Sequence, residues 1–253
     1  MALKNFLFLA LGLVIVVLTI IFVLPPSEKN ALPNTSTTST REATTSQREA
    51  TDFQALVVKG AVDVVLQQDT LPGVQLEVKG MGTEKVKTYV KEGTLTIEVP
   101  SSSFSFFSGE QGSVTAYVSY TTLQRLEASG ASSIEIKKLL KSPSLAMKLS
   151  GACELKGNIK TNRLILELSG ASTSKLGGIA TYQRLEASGA SDLAHKELKS
   201  QTIEVDLSGA SDATLWAEKS IEGEASGASD ISVRGNPRRR SVETSGSSDI
   251  DYD

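Results

Sequence analysis

The sequence predicts an all-β protein: a parallel β-helix, or β-solenoid, preceded by one N-terminal transmembrane helix. Three observations predict this architecture. A four-residue motif recurs at nearly constant spacing, apolar and charged residues alternate on either side of each copy, and a long uncharged segment lies near the amino terminus. Aromatic residues make up 5% of the 253 residues, so the core must consist mainly of aliphatic and small side chains.

The N-terminal segment predicts a membrane anchor. Phe6 to Leu24 are 19 consecutive residues without a charge, and a helix of that length, ~28 Å, spans the hydrocarbon layer of a bilayer. Lys4 precedes the segment, which favours a cytoplasmic amino terminus and an exported remainder. Residues 1–24 are therefore interpreted as an anchor that makes the membrane a partner of the protein. A cleaved signal peptide is the alternative, and it also predicts export.

Residues 25–51 predict a disordered tether. The segment is polar, rich in Ser and Thr, and nearly free of aliphatic residues. Such a segment buries too little apolar surface to offset the entropy lost on ordering. The folded domain is therefore expected to comprise residues 52–253.

The motif Ser-Gly-Ala-Ser, or a near copy of it, occurs seven times in this domain. The copies begin at Ser129, Ser150, Ser169, Ser188, Ser208, Ser226 and Ser245. Their glycines are separated by 21, 19, 19, 20, 18 and 19 residues. A unit of this length cannot enclose a core alone, but stacked copies can. We expect seven turns over residues 122–253 and atypical N-terminal turns over residues 52–121.

The residues around each motif predict strands. The positions two and four residues before the glycine are mostly apolar, and the position between them is charged. The same alternation resumes after the motif, which is a period of two. Glycine permits the backbone angles of a tight bend, and serine can hydrogen-bond to the backbone there. Each repeat is thus predicted to be a strand, a bend, a second strand and a variable connection.

Several stretches resemble a known family. Residues 58–68 read VKGAVDVVLQQ, KEGTLTIEV follows at residues 91–99, and LEASGAS and LSGAS units recur after them. Together these stretches resemble the auto-transporter adhesin head GIN domain family of bacterial envelope proteins, over about residues 53–253. The resemblance implies a right-handed β-helix and an exported location. It supplies no catalytic residues.

Two columns of acidic residues are the candidate sites. The column before the bend predicts a binding face and consists of Glu127, Glu167, Glu186, Asp206, Glu224 and Glu243. The column after the bend contains weak calcium candidates, namely Asp192, Asp212, Asp230 and Asp249. Oxygen ligands suit calcium, but the glycine-rich calcium repeat is absent, so turn capping by the aspartates is preferred. No cofactor is predicted.

Other function classes find little support. A net charge of −3 gives no reason to expect nucleic acid. A single cysteine, Cys153, excludes an intramolecular disulfide. The only histidine, His195, falls in an inward column, which favours a buried residue over a catalytic base.

The sequence therefore predicts a non-catalytic, membrane-anchored protein of the cell envelope, with its domain in the periplasm or at the cell surface. Its expected role is adhesion or binding of a glycan, another envelope polymer or a surface protein. An envelope-sensing accessory domain is the first alternative. A carbohydrate-active enzyme, which would use clustered carboxylates, is a weaker one.

Overall fold

The computed structural model describes residues 43–48, 50, 52–100 and 112–253. These residues form sixteen β-strands and one short 3-10 helix at Thr83–Lys85. The strands are β1 Thr44–Arg48, β2 Ala55–Gly60, β3 Asp63–Gln68, β4 Gly73–Lys79, β5 Lys87–Lys91, β6 Thr94–Glu98, β7 Ser113–Tyr120, β8 Arg125–Gly130, β9 Ser133–Gly151, β10 Glu154–Gly170, β11 Thr173–Ala187, β12 Asp192–Leu207, β13 Asp212–Ala225, β14 Asp230–Arg234, β15 Arg239–Thr244 and β16 Asp249–Tyr252. The predicted all-β parallel solenoid is confirmed.

Each turn of the solenoid has three extended segments, as β10 and β11 illustrate. The first face is the segment that leads into the motif, Arg163–Gly170 in β10, and the second face follows the motif, Thr173–Leu176 in β11. The third face is a shorter segment at residues 178–180, which pairs with residues 159–161 of the preceding turn. Neighbouring turns pair in parallel on all three faces, from β8 to β16.

The predicted variable connections are instead mostly strand. β9 runs for 19 residues and β10 for 17, so extended backbone continues around the corners between the second, third and first faces. The pairing register shifts near Gly157, where φ is +152°, and this irregularity marks one of the corners. Continuous pairing satisfies backbone groups that a loop would have to leave to water.

The motif glycines stack directly on one another at the bend. Gly170 has a φ of +80°, and a Cβ there would lie 2.5 Å from the carbonyl oxygen of Gly151 in the preceding turn. The next residue, Ala171, donates its backbone N–H to the same Gly151 oxygen at 2.7 Å. Both the left-handed conformation and the close approach of the two backbones require glycine. The stack begins at Gly60, which lies directly below Gly130, so the segment VKGAV is a first copy of the bend.

The last serine of the motif is buried and closes the bend in four of the copies. The hydroxyl of Ser172, which is fully buried, donates to the carbonyl oxygen of Ser169 at 3.0 Å. The same bond recurs at 2.9–3.0 Å in the copies that end at Ser191, Ser211 and Ser229. Cys153 occupies this position in the second copy, with its Sγ 3.2 Å from the Ser150 oxygen. The cysteine is therefore a buried replacement for serine.

The apolar columns fill the interior as predicted, except at the C-terminal end. Leu126, Leu166 and Val205 are fully buried on the first face, and Ile134 and Leu193 on the second. The inward positions of the last copy are not buried in this way. Val242, Ile250 and Tyr252 are only half-buried and Thr244 is exposed, because no further turn stacks on β15 and β16 in the described residues.

Antiparallel strands cover the N-terminal end of the stack. β6 and β7 pair in parallel with β2 and β3, while β5 pairs antiparallel with β6, and β4 pairs antiparallel with β7. β1 adds a further antiparallel strand along β4. The disordered tether predicted over residues 25–51 is therefore wrong at its end. Thr44–Arg48 forms a strand because the edge of β4 offers unpaired backbone groups, so pairing does not depend on apolar side chains.

The predicted anchor at residues 1–24 lies outside the described residues. Within them, no helix is long and apolar enough to cross a membrane. The described residues between 43 and 253 belong to one compact unit, and their hydrophobic core runs continuously from Phe53 to Val233. This part of the chain therefore contains what it needs to fold on its own.

Candidate functional site: an acidic groove along the first face

The predicted binding face forms one column on the outer surface of the first face. Parallel register places Glu127 beside Lys148, Lys148 beside Glu167, and the acidic residues of the following turns beside each other in the same way. Stacked strands lie about 4.8 Å apart. Because the register is unbroken, all six predicted acidic residues share this column, interrupted only by Lys148.

A groove of about 540 Å³ runs along this column. Its lining includes Lys148 and Glu224 at its two ends, so it extends over five turns. The first serines of four motifs, Ser169, Ser188, Ser208 and Ser226, line the side next to the bend. The groove thus presents carboxylates and hydroxyls at a regular interval and can hydrogen-bond to a polar, extended ligand.

The column changes in character along its length. At the N-terminal end, Glu127 pairs with Arg125 at 2.6 Å, Glu167 with Lys148 at 2.5 Å, and Glu186 with Arg184 at 2.9 Å. Asp206, Glu224 and Glu243 are exposed and have no ion pair with any residue in the described ranges. Negative charge therefore accumulates over the last three turns.

The carboxylates around Lys148 affect its pKa. Its hydrogen bond to Glu167 raises the pKa of the Lys148 ammonium, and the charges of Glu167, Glu127 and Glu186 act in the same direction. The lysine therefore stays protonated and offers the groove one cationic donor among acceptors.

The second acidic column is aligned along the second face. Asp192, Asp212, Asp230 and Asp249 are neighbours in parallel register on the second face. Burial and the nearby Asp212 carboxylate raise the pKa of Asp192. Within the part of the chain that the structure describes, no three His, Cys, Asp or Glu side chains come together in a way that could hold a metal ion.

His195 lies in the core, inside a chain of hydrogen bonds. Its Nε2 is 3.0 Å from the Ser174 hydroxyl and its Nδ1 is 3.2 Å from Oε1 of Gln183, whose amide nitrogen bonds to Ser200. All four side chains are at most 1% exposed. Burial lowers the pKa of His195 to about 3. The serine–histidine pair therefore has no path to a substrate, and the predicted structural role of His195 is confirmed.

Sequence reasoning missed two surface features. A depression of about 810 Å³ lies over β1, β4, β7 and β3 and is lined by Leu71 and Tyr117, which are 76% and 41% exposed. These strands do not carry the motif, so no repeat alignment marks their outward positions. The other missed feature is the charge of the third face, whose residues come from the segments of least regular sequence.

The sequence of the folded part of the chain matches a known protein family. The family described as "Putative auto-transporter adhesin, head GIN domain" matches residues 52–237. The chain belongs to this family. The family assignment confirms the resemblance that the sequence carries, and its match covers every described strand from β2 to β14.

Solved structures share this fold at low sequence identity. A "putative adhesin" from Bacteroides fragilis is 18% identical with a TM-score of 0.70, and the alignment covers 84% of this GIN-domain chain and 97% of that chain. A "putative lipid binding protein" from Parabacteroides distasonis is 17% identical, with a TM-score of 0.64 and coverages of 84% and 97%. A "putative adhesin" from Parabacteroides merdae is 15% identical, with a TM-score of 0.59 and coverages of 84% and 96%. No functionally curated protein matches the sequence. At these identities the neighbours establish the fold alone.

Proposed function

We propose that this GIN-domain protein is a non-catalytic, cell-envelope binding module that holds an extended envelope polymer, a glycan, in the acidic groove of the first face. The observation that carries the proposal is the groove itself, which repeats the same carboxylate and hydroxyl over consecutive turns. A linear polymer with polar groups at regular intervals can match such a surface at several points at once. Several weak contacts then add up to useful avidity.

The regularity of the groove also argues against glycan cleavage. Glycosidases use two carboxyl groups with different roles, set apart by different environments. The carboxylates here are copies of one position on one outer face, and they differ only in whether an arginine or lysine pairs with them. Binding without reaction is the function that such a ladder supports best.

The proposed location is the outside of the cytoplasmic membrane, with residues 6–24 as the anchor. The apolar run in the sequence and membership of an adhesin-described family support this proposal. Protease treatment of intact cells, followed by blotting for residues 52–253, tests it. Loss of the domain from intact cells is expected if it is displayed at the surface, whereas protection until the envelope is opened would rule out adhesion to other cells.

A matched pair of variants tests the groove. The first carries Glu186→Gln, Asp206→Asn and Glu224→Gln, and the second carries Asp192→Asn, Asp212→Asn and Asp230→Asn on the second face. Both remove three negative charges, so a general charge effect acts on both. We expect pull-down on purified peptidoglycan sacculi to fall only for the first variant, with no release of reducing sugar by either protein.

Equal loss of sacculus binding by both variants would show that the groove is not the site. Release of reducing ends by the wild-type domain would replace the binding module with an enzyme.

A further inference from the structure

The third face of the solenoid is strongly basic. Its described segments, residues 137–143, 158–162, 177–181, 196–201, 216–219 and 234–238, contain nine lysines and arginines. The same segments contain two acidic residues, Glu197 and Glu218. The whole chain carries a net charge of −3, so the positive charge is concentrated on one face.

One outward column crosses the middle of this face. Parallel register places its members beside one another, turn by turn, in the order Lys141, Lys160, Ile179, Lys199, Trp216 and Arg234. Lys141 and Lys160 are direct neighbours, and neither forms an ion pair with a described residue. Like charges on adjacent strands repel, and an external anion would remove that cost.

Apolar side chains protrude between the cations. Ile179 is 55% exposed within the column, and Leu139 is 41% exposed beside it. An aromatic ring accompanies the cations as well, since Lys199 lies 4.9 Å from the centre of the Trp216 ring. Lysine, arginine, tryptophan and exposed aliphatic residues on one surface are the composition of proteins that lie on a membrane interface.

We infer that the third face docks on the surface of an anionic lipid bilayer. The phosphates of anionic lipids neutralise the stacked lysines, and Ile179 and Leu139 enter the boundary between headgroups and acyl chains. A hydrated anionic polymer satisfies the lysines but gives no gain for exposed aliphatic side chains, which is why the observations favour a bilayer.

The rest of the molecule is compatible with this orientation. In a turn with three faces, the third face lies opposite the bend between the first and second faces. The two acidic columns flank that bend, so docking through the third face holds them away from an anionic surface. The groove then faces outward from the membrane with its full length open.

The test uses a fragment spanning residues 40–253, which omits the predicted anchor and retains the compact unit. Co-sedimentation is measured with vesicles of equal parts phosphatidylcholine and phosphatidylglycerol, and with vesicles of phosphatidylcholine alone. We expect binding to the anionic vesicles only, and weaker binding as salt is added. Lys141→Gln, Lys160→Gln and Lys199→Gln together are expected to lower the partition coefficient on the order of a hundredfold.

The matched control replaces Lys59, Lys87 and Lys91 with glutamine, since these exposed lysines lie away from the third face. It changes net charge equally and is expected to keep nearly full binding, with circular dichroism confirming that both triple variants are folded. Ile179→Ser reports the apolar contribution and is expected to weaken binding severalfold. Equal losses in the two triple variants, or no binding by the wild-type fragment, would overturn the inference. Unchanged binding by Ile179→Ser, together with full displacement from vesicles by soluble polyphosphate, would replace the bilayer with an anionic polymer.

Discussion

The buried histidine makes the stability of the solenoid depend on pH in a defined direction. His195 has a pKa of about 3 in the folded protein against 6.5 for an unperturbed histidine, because burial penalises the charged ring. The unfolded chain therefore binds a proton between these values and the folded protein does not. The contribution of His195 to stability is complete above pH 6.5 and is lost progressively as the pH falls towards 3.

The size of the effect follows from that difference. Each pH unit below 6.5 lowers the free energy of unfolding by about 1.4 kcal/mol. Between pH 7 and pH 4.5 the loss from His195 is thus roughly 2–3 kcal/mol. Urea titrations at the two pH values, followed by the fluorescence of Trp216 and by circular dichroism, measure it.

A double variant isolates the histidine from the many carboxylates that titrate in the same range. Ser174→Ala with His195→Leu removes the titrating ring and its hydroxyl partner, and Ser174→Ala alone keeps the ring. The double variant is expected to be less stable at pH 7, because Gln183 loses a partner, yet to lose roughly 2–3 kcal/mol less on acidification. If the double variant and the wild type lose the same free energy between pH 7 and pH 4.5, then His195 is not the buried neutral group described above.

Three further predictions follow from the bends and the acidic column. Gly170→Ala holds alanine in the left-handed conformation with its Cβ against the Gly151 oxygen, and is expected to lower the free energy of unfolding in urea by about 3 kcal/mol. Ala171→Ser, on the exposed side of the same bend, is expected to leave that free energy unchanged. Cys153→Ser restores the hydroxyl of the other motifs and is expected to leave stability unchanged or raise it by up to about 1 kcal/mol. Ser191→Ala removes the hydrogen bond to Ser188 and is expected to lower stability by about 1 kcal/mol. A destabilised Cys153→Ser variant would contradict the role of the hydroxyl. Neutralising Asp206, Glu224 and Glu243 is expected to raise the midpoint of thermal unfolding at low salt and to reduce its dependence on added salt, and an unchanged salt dependence would mean that the exposed column does not repel itself.

The repeat made most of the fold predictable from sequence. The glycine of each motif has one role, a bend that stacks on the bend below. The period-two pattern correctly predicts a buried residue two positions before this glycine in six of seven copies. Thr244, two residues before its glycine, is exposed and is the exception. An inward side chain is buried only where another turn of the solenoid covers it. β1 was missed for a different reason: its pairing with β4 uses backbone groups, and its side chains carry no apolar pattern.

The sites were predictable in part, for related reasons. The acidic column could be found because its members occupy one repeat position, and the register keeps them together. The hydrogen-bond partners of His195 could not be predicted, because Gln183 lies on the first face and Ser200 on the third. Their distances from His195 along the sequence do not follow one repeat period. The cationic column was missed because its members lie at different distances from the preceding motif glycine, 11 residues for Lys141, 9 for Lys160 and 7 for Trp216. Only the pairing of the strands aligns them.

The stacked glycines also set a rule for how such a molecule can change length. Every bend from Gly130 to Gly227 contacts an equivalent bend below and above it. Duplication or deletion of one unit in this stretch recreates the same contact, while the antiparallel strands at the N-terminal end and the turn of β15 and β16 remain as they were. The length of the solenoid can therefore vary in whole steps of about 4.8 Å. Tandem duplication of a unit would lengthen both the acidic groove and the basic face without other changes to their sequences.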